Sequence, residues 1–84
     1  MDLIDKAIEI VLKQIDEFKV NAVFDIRGMV RLYNSDFWKE LGEQTQRDVG
    51  TEFKERVDNE DYPNIKFFDK TSDGRNWYQK IKWF

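Results

Sequence analysis

Residues 65 to 84 read IKFFDKTSDGRNWYQKIKWF, two runs in which lysines alternate with aromatic side chains around a turn signal. A cation beside a ring can hold single-stranded nucleic acid: the cation neutralises phosphate while a base stacks on the ring, and stacking needs no sequence-specific donor. Lys66, Lys70, Arg75 and Lys80 are the candidate phosphate contacts, with Trp77 or Tyr78 as the stacking ring. A plainer reading competes. Phe67, Phe68, Trp77 and Tyr78 can instead fill a core, and lysines on a strand edge deter aggregation between sheets.

Other chemistries find little support. With no cysteine and no histidine, the chain has no disulfide, thiolate nucleophile, imidazole base or common zinc-finger pattern. Carboxylates are plentiful, but Glu52 and Glu55 read as helix surface, and DNEDY (58–62) lacks the alternating ligands and central glycine of a calcium loop. No glycine-rich phosphate loop occurs. The expectation is a binding protein: no enzyme, no metal and no cofactor.

Net charge is −3, unevenly spread. Residues 1 to 63 hold nine basic and fifteen acidic groups, whereas residues 64 to 84 hold five basic and two acidic ones. The closing ribbon is therefore +3 on an acidic body.

A second candidate surface is the helix expected near 45 to 59. Opposite its apolar stripe lie Gln44, Arg47, Asp48, Thr51, Lys54, Glu55 and Asp58, with more acid than base. Phosphates repel the acids, so this face is a poor groove reader, although Arg47 and Lys54 remain candidate phosphate contacts. Lys54 and Asp58 are also spaced for a surface pair at i,i+4.

The elements that must position these residues are few. Eighty-four residues suffice for one domain over 1–84, since a chain this short buries only about 60 to 65% of its unfolded surface around one core. Ile4, Ile8, Val11, Ile15 and Phe18 recur at spacings of four and three, which predicts a helix near 2 to 18 capped by Asp2. Its stripe reads as core or, alternatively, as a weak homodimer seam, with Leu3 and Ile10 on another flank. KVNAVFDI has strand character. Asp25 reads as the N-cap of a second helix near 25 to 33, Ser35 as the cap of a brief turn ended by Gly42, and Thr45 as the cap of the third helix, with Asp48 completing a capping box.

On that third helix Val49, Phe53 and Val57 share a face, and Gly50 at its margin suggests a close backbone approach. Ile8, Val11, Ile15, Phe24, Leu41, Phe53 and Val57 are the expected core. A hairpin is expected across 65 to 82, turning at SDG in either of two registers. No long apolar run or basic leader is present, so an intracellular, cytoplasmic protein without membrane association is expected.

Helix, short strand, helix, helix and hairpin is the order of a winged-helix-like α+β domain, with the hairpin as wing. At Phe24, Trp38, Leu41, Arg47, Gly50, Phe53, Val57, Lys70, Thr71, Ser72 and Tyr78 the chain also resembles a family of small uncharacterised proteins of bacteria and their phages, over roughly residues 18 to 80. The resemblance implies single-stranded DNA binding, a label that some members carry. The other partner class is a protein: the acidic helical surface suits a basic partner, as in an inhibitor or interaction module carried by a phage.

Overall fold

In the computed structural model, which describes residues 2–83, the expected element order is found: α1 (Leu3–Ile15), β1 (Val23–Phe24), α2 (Ile26–Tyr33), α3 (Ser35–Asp58), β2 (Ile65–Lys70) and β3 (Asn76–Lys80). The fold is α+β, three helices and a three-stranded antiparallel sheet in the order β1-β3-β2. Asp2 caps α1 by accepting from the Asp5 amide at 2.8 Å. The stripe then buries Ala7, Ile8, Val11 and Ile15. That face is consumed within the protein, which leaves only flanking residues such as Leu3 for the homodimer contact considered above. The helix ends three residues earlier than expected, because the carbonyls of Ile15, Asp16 and Phe18 turn towards the Lys80 ammonium.

Asn34, not Ser35, caps α3, accepting from the Phe37 amide at 3.1 Å. Gly42 interrupts this helix with φ 80° and ψ 158°, a conformation open almost only to glycine. The helix resumes at once, so Thr45 lies inside it and does not cap it, and Asp48 accepts from the Gln44 side chain instead of closing a capping box. The Gln46 amide donates to the Trp38 carbonyl at 2.7 Å, supplying a partner next to the break.

The seven expected core residues are all buried, joined by Val49, Trp38, Met29, Val30, Ile65 and Tyr78 among others. Tyr78 is the hub: its ring meets Phe53 edge-on at 4.9 Å and stacks with Phe24 at 6.0 Å. Burying side chains of this size stabilises by about 2 to 3 kcal/mol each. Arg56 clips α3 to α1 and to the loop after α3, donating to Glu52, Asp5 and the Tyr62 hydroxyl.

The hairpin takes the three-residue alternative. The Gly74 amide donates to the Thr71 carbonyl and the Thr71 amide to the Arg75 carbonyl, with Gly74 at φ 86°. Pairing runs Ile65↔Lys80, Lys66↔Gln79 and Phe67↔Tyr78, slips at Phe68, and resumes as Asp69↔Trp77 and Lys70↔Asn76. β1 joins the other edge of β3 as Val23↔Gln79 and Phe24↔Tyr78.

Candidate nucleic acid interface

Paired residues in a sheet share a face and successive residues alternate, so this register sorts the ribbon into two sets. Tyr78 and Lys80, each 1% exposed, point inward with the buried Phe24 and Ile65. Two expectations are corrected here. Tyr78 cannot offer its ring to a base, because Phe53 and Phe24 already pack on it, and burial pushes its hydroxyl up to about 12. Lys80 cannot contact a phosphate, because its ammonium donates to the Ile15, Asp16 and Phe18 carbonyls at 2.7, 3.2 and 2.8 Å and lies 3.8 Å from the centre of the Trp83 ring. It closes the end of α1 as a cation at a helix C-terminus does.

On the outer face the register aligns Val23, Gln79 and Lys66 in one row, with Trp77 and Asp69 in the next. Val23, Lys66 and the neighbouring Phe68 are exposed, and Trp77 is half-buried, its indole N–H enclosed without a hydrogen-bond partner among the described residues. Lys70 is exposed near the tip. Lys66 and Lys70 enter no ion pair among the described residues.

The remaining cations gather elsewhere. A cleft of about 810 Å³ runs between α3, the start of α2 and the β2–β3 turn. Its lining carries Arg27, Arg47, Lys54 and Arg75 against Glu43, Glu55 and Asp73. Arg47 bonds Glu43 at 2.7 Å, and Lys54 forms the expected pair with Asp58 at 2.7 Å while lying 4.6 Å from the centre of the Phe67 ring. Arg75 Nε reaches Asp25 at 3.3 Å. At the turn, the Asp73 carboxyl is held below the ordinary carboxylate range by the Thr71 hydroxyl and then by the Arg75 amide.

Gly50 and Thr51 lie between Arg47 and Lys54 on the cleft side of α3. A Cβ on Gly50 would meet nothing within 4 Å. The close backbone approach expected there is absent; Gly50 leaves the floor of the cleft bare instead.

The sequence model of a domain of unknown function, DUF1413, matches residues 9–80. The chain belongs to this family. A solved structure named SCCmec type IV LP1413, a nucleic acids binding protein, is similar over 96% of each chain, with a TM-score of 0.70 and 21% identity. That likeness speaks for the fold. No curated protein matches the chain.

For this DUF1413 chain, sequence reasoning missed Arg27, Asp25 and the open role of Gly50 in the cleft. Arg27 is exposed, and among the described residues it enters no ion pair. Its proximity to the β2–β3 turn is a tertiary fact without a local signal. Asp25 did carry one: an acid at an N-cap followed by Gly28 inside a short helix, where glycine is otherwise unfavourable. No helix of the described residues is long and apolar enough to cross a membrane. Among those residues no group of three or more carboxylates gathers as a metal site.

Proposed function

We propose that the protein binds nucleic acid, without catalysing a reaction on it, by seating the phosphate backbone in the cleft between α3 and the wing turn. One observation carries the reading: Arg27, Arg47, Lys54 and Arg75, from three parts of the fold, converge on one open cleft in a chain of net charge −3. Glu43, Glu55 and Asp73 share that cleft, so it suits a few phosphates, not a long track. The likeness to a protein named for binding nucleic acids supports the same class of ligand.

In its finer form the proposal is a single strand on a winged-helix-like body. From the cleft, a strand rounding the wing turn meets Lys70 and then the outer sheet face with Lys66, Phe68 and Trp77. A flexible strand can follow that path and stack a base there. Duplex DNA, with a persistence length of about 150 base pairs, has to bend sharply to do so, at a cost of about 1 to 6 kcal/mol, and keeps its bases paired.

A protein partner is the second reading, favoured by Leu32, 88% exposed, beside Tyr33, 62% exposed. Its acidic-surface form has less support. Asp5, Glu9, Glu43, Glu52 and Asp58 are each held by a lysine or arginine of the same chain and are distributed over α1 and α3.

Fluorescence anisotropy with labelled single-stranded and duplex oligonucleotides, at about 50 and about 200 mM salt, tests the proposal. Tighter binding of the single strand is expected, with a log-log salt slope of roughly −2 to −3 for three or four phosphate contacts. Arg47→Glu with Lys54→Glu should weaken all sequences alike. A parent protein that binds neither oligonucleotide at low salt refutes the reading and leaves the Leu32 face as the better lead.

A further inference from the structure

Asp25 stands at the N-cap of α2, yet its side chain makes no cap hydrogen bond. An aspartate there ordinarily accepts from a first-turn amide. Here Oδ1 stands where a side chain at residue 28 would begin: a Cβ on Gly28 would lie 2.6 Å from it. Glycine at 28 is what admits this rotamer. Oδ2 is buried, has no hydrogen-bond partner among the described residues, and lies 3.3 Å from Nε of Arg75 on the β2–β3 turn. The carboxylate thus forgoes a cap and is desolvated for one long charge contact with a partly exposed arginine. For stability alone this is a poor arrangement, since burial of a charge is offset only by good geometry and satisfied lone pairs.

We propose that Asp25 is a positioning residue for Arg75 in nucleic acid binding, an inference that rests on the cleft reading above. By engaging Nε, Asp25 fixes one edge of the guanidinium and leaves both terminal amino groups for the cleft that Arg75 lines. A phosphate can accept from that pair in the two-pronged geometry that makes arginine a better phosphate partner than lysine. Holding the fork before the ligand arrives also reduces the side-chain ordering that binding would otherwise require. Gly28 belongs to the same device, because it provides the space in which the carboxylate lies.

Four variants test this with a labelled thymidine oligonucleotide: Asp25→Asn, Gly28→Ala, Arg75→Gln and the Asp25→Asn, Arg75→Gln double. Asp25→Asn should weaken binding several-fold in the parent and add nothing once Arg75 is gone. Gly28→Ala keeps both charges and favours the helix, yet displaces the carboxylate, so it should weaken binding to a similar degree. It also keeps the test alive should Asp25→Asn fold poorly. The salt slope of Asp25→Asn should be shallower by about one phosphate contact, roughly 0.7 for a single strand. Independently of any ligand, the Arg75 side-chain Nε resonance should shift from its position in the parent in both Asp25→Asn and Gly28→Ala, because the carboxylate beside it is neutralised or displaced.

Equal or tighter binding by folded Asp25→Asn or Gly28→Ala would overturn the inference, since the carboxylate would then merely repel phosphate. An equal loss with and without Arg75 would overturn it too. If Arg47→Glu with Lys54→Glu weakens binding while these variants do not, only the inference fails. If none of the cleft variants matters, the cleft reading fails with it.

Discussion

Replacing Lys80 by methionine isolates what its ammonium contributes, because methionine keeps most of the stem and removes the donors. Three carbonyls lose a partner, those of Ile15, Asp16 and Phe18. The bond to Ile15 is buried, so that carbonyl has no easy access to water and its loss costs about 1 to 3 kcal/mol. The other two are partly exposed and can be hydrated, so each adds about 0.5 to 1 kcal/mol. Relief from burying a charge offsets some of this. The balance is a loss of about 2 to 4 kcal/mol, a large part of the roughly 5 to 15 kcal/mol that holds a domain together. For a domain of this size it lowers Tm by roughly 10 to 25 °C. Thermal unfolding followed by far-ultraviolet circular dichroism reads it directly. At low temperature, where the variant is folded, its affinity for oligonucleotide should equal that of the parent. A Tm within about 3 °C of the parent would refute the reasoning, as would selective loss of binding in a protein of unchanged stability.

Phe53→Ala removes the ring that meets both Tyr78 and Tyr62 and should cost about 3 to 5 kcal/mol in urea unfolding. Gly50→Ala should stabilise by up to about 1 kcal/mol in the same assay, because the added methyl meets open space within a helix. The Tyr78 phenol, pushed up to about 12 by burial, should ionise well above the ordinary tyrosine range in a spectrophotometric pH series. The unfolded chain loses that proton near 10, so stability should fall progressively as pH rises from about 10 to about 12 and be unaffected by this group at lower pH.

The apolar stripes were legible because each is a local repeat on one helix. Ile8, Val11 and Ile15 advertise a face, as do Val49, Phe53 and Val57, and Asp73-Gly74 advertises a turn. The candidate site was legible only in part, because the pleat assigns each ribbon residue to one face and the composition of the ribbon does not. A three-residue turn, a slip at Phe68 and pairing with β1 together send Tyr78 and Lys80 inward and Trp77 outward. Lysine is rarely buried without a carboxylate, and nothing near Lys80 in the sequence announces three carbonyls more than sixty residues away. Likewise, Gly42 signalled a stop correctly, but only tertiary packing decides that the helix resumes beyond it.

The strand order β1-β3-β2 also sets the timetable of folding. β3 is the last of the three strands to be made and is the centre of the sheet, so neither β1 nor β2 has a strand to pair with until residue 76 and those after it are available. The helices can collapse early through contacts near in sequence, but β1 must wait for a partner 54 to 56 positions downstream. Closing so long a loop is slow, and β2 presents unpaired backbone groups in the interval. The exposed Lys66, Asp69 and Lys70 place charge on that strand during the wait, when it is most open to pairing with another chain.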